Sequence, residues 1–498
     1  MSCELPGTRD LLPLAEAFPQ RYPGLLESAA RGANARWDIL FAFPQDALIL
    51  HADGHVCDAQ GVDRGPRFLQ ALDEALRSES AALCSPLPSG EGLGVRVRSG
   101  HTVASDPSPQ PAFGHHGALR HERRLYPAGE GKSRLPFTGG WLLYLGYELA
   151  GEIEPSLNLP RDPQQDMPVA LALRCPAAIL VDRENARTLL VVEDERHAHL
   201  LDALQRDLAS LAGIPVESGA LPHPLDIAED DPGRFLAGVS RIHEHLRAGD
   251  TFQVNLSRQW RARYAEPPGA ASLYRSLRRA NPAPFAGLLQ YGDWAIASSS
   301  PERLLELRDG IAQTRPIAGT RPRLPGDDDA ARIRELLAHA KERAEHVMLI
   351  DLERNDLGRI CVPGTVEVDE MMVVESYAHV HHIVSNVRGR VRGDITPGQA
   401  IAAVFPGGTI TGCPKVRCME IIAEQEGEAR GAYTGALGYL GNNGALDLNI
   451  LIRTLHLRGN AVTFRAGAGI VADSDARHEL DETRAKARGM LRALGSAS

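Results

Sequence analysis

The chain has 498 residues, 43% of them apolar, 24% charged and 5% aromatic, an ordinary globular composition with room for two or three domains. Its 64 acidic and 54 basic residues leave a formal charge of −10, which argues against nucleic acid as the main partner, because phosphate backbones are held by clustered Lys and Arg. The seven cysteines are scattered and form no C-x-x-C pair, so no disulfide framework or zinc knuckle is indicated. No apolar run approaches the ~18–20 residues of a membrane helix, and the N-terminus MSCELPGTRDLLPL lacks a basic stretch followed by an apolar one. The expectation is a reduced, cytoplasmic protein.

Arg36–His51 reads as paired strands. Residues 84–134, dense in Pro, Gly, Ser and His and without sustained periodicity, read as an inserted, mostly disordered loop. Thr138–Leu149 resumes an apolar pattern, so the insertion interrupts a single sheet. Val169–Glu193 gives two β-branched runs around a D-R-E-N turn, a hairpin signal, and a helix follows at about Ala198–Leu211. The polar, Pro-bearing stretch Ser218–Pro232 marks the main boundary, which divides the chain into an N-terminal region 1–231 and a C-terminal region 232–498.

Beyond it, Gly233–Ala248 has helical spacing, and Thr251–Trp260 and Phe285–Ser298 read as strands. Ile333, Leu337, Ala340, Ala344 and Val347 recur at three- and four-residue steps, which predicts one helix over Ala330–Ile350. The last segment reads as a strand (Ala461–Phe464), a Gly-rich turn (Ala466–Gly469) and a helix over about Asp475–Leu494, capped by Asp473, Ser474 or Asp475. Strands and helices mix without regular β-α-β alternation, so the fold class is α+β, with large antiparallel sheets flanked by helices.

Five constellations could carry chemistry. Glu342/Glu345 and Glu479/Glu482 form E-x-x-E pairs on two separate helices, and a three-residue step puts both carboxylates of a pair on one face. Such a face is most often merely solvated, but two that met would suit Mg²⁺, which takes one or two protein carboxylates plus water and substrate oxygens. Phe405–Lys415 (FPGGTITGCPK) has the G-x-x-x-x-G spacing of a phosphate loop. Cys-Pro-Lys follows instead of Lys-Ser/Thr, so a nucleotide loop is rejected and a Gly-rich anion loop before a helix remains. A-G-A-G at Ala466–Gly469 permits close approach of a ligand, or of packing neighbours. R-P-I-A-G-T-R-P-R at Arg315–Arg323 sets three arginines about a turn, and His381-His382 lies between two strand-like runs.

These stretches, with S-S-P-E-R (Ser299–Arg303), A-E-H-V-M-L-I-D-L-E-R-N-D-L-G-R (Ala344–Arg359), A-Y-T-G (Ala432–Gly435), I-R-T-L (Ile452–Leu455) and E-L-D-E-T-R-A-K, resemble in order the chorismate-utilising enzymes over about Pro232–Leu494. That group includes component I of anthranilate synthase and of aminodeoxychorismate synthase. Leu25–Ser28 and Trp37–Leu40 resemble the family's N-terminal region. The resemblance implies Glu345 and Glu482 as Mg²⁺ ligands, with Glu342 and Glu479 as water-mediated partners. It implies Tyr433, Arg453, Gly467 and Gly469 as holders of the enolpyruvyl carboxylate, with Lys486 beside the carboxylates. Glu302 and His382 take the acid/base positions, Thr320 and Thr411 line the ring pocket, and Lys415 closes the Gly-rich loop as a further catalytic candidate. Ser28 and Pro284 match the surroundings of a tryptophan pocket, so bound tryptophan is an expected ligand.

Q-V-N-L (Gln253–Leu256), N-P-A-P-F-A (Asn281–Ala286) and G-G-T-I-T-G resemble the aminodeoxychorismate branch, so amination of chorismate at C4 for 4-aminobenzoate and folate synthesis is the expectation. Anthranilate synthase component I is the alternative, because Ala318 stands where many members of the first branch carry Lys. No G-x-C-x-G nucleophile turn occurs, so ammonia is expected from a separate glutamine amidotransferase subunit.

Overall fold

A computed structural model describes residues 1–30, 36–83, 135–162, 167–211, 221–323, 328–338, 340–376 and 380–495. The expected loop 84–134 lies outside these, as do the side chains of Ala318, Thr320 and Glu342. Two antiparallel sheets of 12 and 11 strands dominate. This is the predicted α+β architecture. No helix among the described residues is long and apolar enough to cross a membrane.

Many strands are apolar at every position, which is the pattern of a strand covered on both faces. Trp37–Ala42 shows why. Ile39 and Phe41 point into a core between the two sheets, whereas Leu40 and Ala42 point outward beneath helices. Aromatic edges fill the inter-sheet core: Phe137 lies 4.9 Å from Phe41 and 5.8 Å from Tyr439, both edge-on. Outside the first sheet, Leu204, Leu273, Leu277 and Met490 cover the strands from three helices; outside the second, Phe68, Leu72, Ile350, Leu357 and Ile401 do the same. Each fully buried side chain of this size is worth about 1.5–3 kcal/mol.

Both sheets draw strands from either side of residue 231. Gly24–Glu27 pairs with Phe285–Tyr291 in the first, and Gly140–Leu145 pairs with Ala436–Gly441 in the second. Arg36–His51 contains two strands, as expected, but they do not pair. Trp37–Ala42 lies between Gly24–Glu27 and Ala177–Asp182, while Asp46–Leu50 joins the other sheet beside Ala170–Cys175. The intervening Phe43 has φ +57°, and the chain changes sheet there. The hairpin across Arg183–Ala186 forms as read, but its first run divides at Pro176, with one half in each sheet. The strands flanking the insertion share one sheet, in the order Gly140–Leu145, Ala170–Cys175, Asp46–Leu50.

The predicted helix Ala330–Ile350 appears as two helical segments, Asp329–Ala338 and Ala340–Gly358, with His339 outside the described residues. Its apolar stripe is not the buried face, since Ala344 and Val347 are exposed while His346, Glu353 and Asp356 are buried. A-G-A-G is no turn. Ala461–Ile470 is one continuous strand, paired along its whole length with Gln253–Arg263. The final helix, Ala476–Ala493, is capped by Asp475, whose carboxylate accepts from the amides of Arg477 and His478.

Candidate active site where the chain crosses between sheets

Glu302 and Arg453 are placed by topology. The chain leaves the first sheet at Ser300 and enters the second at Arg303, so Glu302 lies on the crossing. It returns from the second sheet at Ile450 to the first at Thr454, so Arg453 lies on the return. The two crossings are laced together: the Ile450 amide donates to the Glu302 carbonyl at 3.0 Å, and the Ser299 amide to the Arg453 carbonyl at 3.1 Å. Arg453 has φ +52° and nearby Thr434 +63°. For non-glycine residues, above all a β-branched one, such angles occur where surrounding structure over-determines the backbone.

Burial pushes the Glu302 carboxyl up to about 7, against the pull of Thr409, the Ile317 amide, Arg453 and Lys486. Burial, then Arg453 and His381, push His382 down to about 3. Near neutral pH the carboxyl therefore keeps a substantial acid fraction, while the imidazole has no proton to give beyond its single N–H. His382 lies on Val380–Arg390, directly opposite Thr320 across the ladder. Arg453 is half-buried, with burial lowering its proton affinity and Glu302 restoring part of it.

Gly467 and Gly469 face the neighbouring strand at Ser257 and Asn255. A Cβ on Gly467 would meet the Asn255 Oδ1 at 2.7 Å, the Leu256 carbonyl at 2.8 Å and the Tyr433 hydroxyl at 2.8 Å, and one on Gly469 would strike Gln253. Without Cβ atoms the two glycines let these polar groups close directly onto the strand and form a cradle ringed by polar atoms. The Asn255 Oδ1 and Gln253 Oε1 are buried without a hydrogen-bond partner among the described residues. Lys486 donates to the Gly467 carbonyl at 3.0 Å and pairs with Glu482 at 2.7 Å, which ties the final helix over the cradle.

The other candidates have partners of their own. Thr411 is fully buried and donates to the Gly407 carbonyl at 2.9 Å within its own loop. Lys415 donates to Asp356 at 2.6 Å and to the Val404 carbonyl at 3.0 Å, so its ammonium anchors the start of Lys415–Glu426 to the helix Ala340–Gly358. Ser28 is buried and donates to the Ala30 carbonyl at 3.1 Å, while the Ala30 amide donates to the Ala283 carbonyl at 3.1 Å, so the segments holding Ser28 and buried Pro284 do lie together. Of the four acidic candidates, Glu479 is buried, Glu345 and Glu482 are half-buried, and the Glu342 side chain is not described. Among the described residues no three His, Cys, Asp or Glu side chains converge as a metal cluster. An all-carboxylate donor set is nonetheless the right one for Mg²⁺, which needs only one or two from protein.

Sequence reading did not find Glu426 and Arg430. Glu426, at the end of Lys415–Glu426, accepts from the Ser257 amide and hydroxyl at 2.8 Å, from Arg430 at 2.7 and 2.9 Å and from Arg465 at 3.1 Å, all buried. Burial would raise this carboxyl, but Arg430 and Arg465 outweigh it and hold it below its ordinary range. Its contribution is therefore complete above the unfolded carboxyl range and is lost as acid protonates it in the folded state. Glu426→Ala should cost about 3–5 kcal/mol, because two buried guanidinium groups lose their counter-charge. Urea unfolding checks this, and a midpoint equal to the parent's would refute it.

The two crossings, the glycine cradle and the side chains of Arg453 and Lys486 gather one buried carboxyl and two cations, an arrangement suited to a small anion. The chain belongs to the chorismate binding enzyme family, which matches residues 90–492. It is 43% identical over 366 residues to an anthranilate synthase component I-like protein of Synechocystis, covering 72% of this chain and 73% of that one. It is 40% identical over 371 residues to aminodeoxychorismate synthase component 1 of Bacillus subtilis, covering 72% and 77%. The crystal structure of anthranilate synthase component I from Streptococcus pneumoniae superposes with a TM-score of 0.73 at 29% identity, over 92% of this chain and 93% of that one.

Proposed function

We propose that this protein aminates chorismate at C4 to give 4-amino-4-deoxychorismate, with ammonia from a separate glutamine amidotransferase subunit and with Mg²⁺. The observation that carries it is Glu302, a buried carboxyl whose proton affinity burial raises to the neutral range, within the electrostatic reach of Arg453 and Lys486. An allylic hydroxide leaves poorly at neutral pH. Protonated by Glu302 it leaves as water, the C4–O bond breaks, a C–N bond forms, and the ammonia nitrogen gives up one proton. The sum is chorismate plus ammonia giving aminodeoxychorismate plus water.

Arg453 is suited to a carboxylate of the substrate as a planar donor pair. The Gly467 and Gly469 cradle and the Tyr433 hydroxyl offer the second anchor. Neutral His382 is a hydrogen-bonding group at the ring and not a source of acid. Glu345 and Glu482, with Glu342 and Glu479 nearby in sequence, would hold Mg²⁺, which when bound supplies Lewis-acid charge to a substrate carboxylate.

A second reading, formation of anthranilate with loss of pyruvate, is favoured by Ala318. The strand position opposite Ile383 has no amine to act as a nucleophile toward the ring. Incubation with chorismate, Mg²⁺ and ammonium, with and without the lyase that converts aminodeoxychorismate to 4-aminobenzoate, separates the two. We expect 4-aminobenzoate only when the lyase is added. Anthranilate fluorescence and pyruvate release without lyase would reverse the choice.

A further inference from the structure

Arg430 is almost completely buried, and all five of its N–H donors have acceptors. Nε and Nη2 donate to the two oxygens of Glu426, at 2.9 and 2.7 Å. Nη2 also donates to the Asn255 carbonyl at 2.7 Å, and Nη1 to the Ile410 carbonyl and the Thr434 hydroxyl, each at 3.3 Å. One side chain thus joins the strand opposite the glycine cradle, the Gly-rich loop and the turn that carries Tyr433. The guanidinium also lies over two aromatic rings: its carbon is 4.9 Å from the centre of the Tyr147 ring and 5.4 Å from that of Tyr433. The backbone is fixed as well, since Glu148 accepts from the amides of Arg430 at 2.8 Å and Gly431 at 3.1 Å, and the Tyr147 amide donates to the Gly431 carbonyl at 2.8 Å.

We propose that Arg430 is a positioning residue for chorismate, acting through Tyr433, and that Tyr147 is the back wall that sets the guanidinium plane on which the Tyr433 ring rests. Within this group the Tyr433 hydroxyl reaches the Gly467 cradle, and Arg430 meets the backbone of Asn255 beside it. A tilt of the guanidinium moves that hydroxyl directly, while Glu302, on a different crossing, stays in place. The effect therefore falls on substrate binding more than on the chemical step. Lysine cannot reproduce it: an ammonium has three donors for five acceptors and no plane to lay over the rings. The role rests on chorismate being the substrate.

The test is steady-state kinetics of the full-length protein with chorismate, ammonium and Mg²⁺, together with thermal unfolding with and without chorismate. Arg430→Lys should raise the chorismate KM about tenfold while kcat falls less than about threefold, the pattern of lost ground-state binding. Tyr147→Leu, which leaves the Glu426 pairing intact, should raise KM in the same direction, and Tyr147→Phe, which restores a ring of the same size, should bring it back to within about twofold of the parent. If Arg430→Lys does not fold, the Tyr147 pair decides. A Tyr147→Leu protein with the parent's KM and the parent's chorismate-induced stabilisation, or one whose kcat alone falls, overturns the positioning role. A parent protein that neither consumes chorismate nor is stabilised by it overturns the chorismate reading instead.

Discussion

Glu302→Gln is expected to lower kcat/KM for chorismate by about 10²–10⁴-fold, the usual range for a lost general acid. The amide keeps the shape and much of the hydrogen bonding of the protonated carboxyl but cannot release a proton to the departing hydroxyl. The pH profile makes the prediction specific. The acid form of Glu302 predominates below about 7, and the fraction available falls tenfold with each further pH unit, so the parent's kcat/KM should show a basic limb bending near that value. The Gln variant should lack that limb. His382 gives no substitute donor, because its imidazole is held near 3 and is neutral throughout. Profiles of kcat/KM against pH for both proteins provide the check. A variant with the parent's rate and the parent's basic limb would remove Glu302 from the role.

The same physics explains what the sequence could announce and what it could not. Strands covered on both faces read as unbroken apolar runs, so their existence was plain in Trp37–Ala42 and Asp46–Leu50. Their sheet was not, because membership turns on one residue, Phe43, adopting a left-handed backbone. The alternate glycines of Ala466–Gly469 looked like a turn because glycine is common in turns. They lie in a strand because the side chains of Gln253, Asn255 and Tyr433, brought in from far along the chain, fill the space where Cβ atoms would be. Ala340–Gly358 misled through its apolar stripe, because the face it buries bears His346, Glu353 and Asp356. Burial and neighbouring Asp356 push the Glu353 carboxyl up, so it too is favoured as an acid behind the site. Motif order singled out Glu302, Arg453, Gly467 and Gly469, which the fold places on the two crossings and on the strand Ala461–Ile470. Glu426 and Arg430 carry no local signal, since charged residues at a helix end are usually solvated, and their partners Asn255, Ser257 and Arg465 lie up to 175 residues away.

Glu345→Ala and Glu482→Ala should each abolish Mg²⁺-dependent turnover, and EDTA should do the same to the parent protein. The substitutions must act through the ion and not through the fold for this to be informative, and the energetics favour that. Glu482 pairs with Lys486 at 2.7 Å, but the two side chains are 39% and 43% exposed, and an ion pair so open to water is worth about 0–1 kcal/mol. Its loss leaves Lys486 held by the Gly467 carbonyl. Glu345 is half-buried on a helix secured by Leu349, Ile350 and Leu357, so removing one carboxylate should leave the unfolding midpoint nearly unchanged. Lys486→Met separates the two functions of the Glu482 pair: it removes the ammonium while leaving the carboxylate for Mg²⁺, so the Mg²⁺ concentration giving half-maximal rate should stay near the parent's while the chorismate KM rises. Turnover that survives EDTA, or either alanine variant with the parent's dependence on Mg²⁺, would show that these carboxylates hold no catalytic ion.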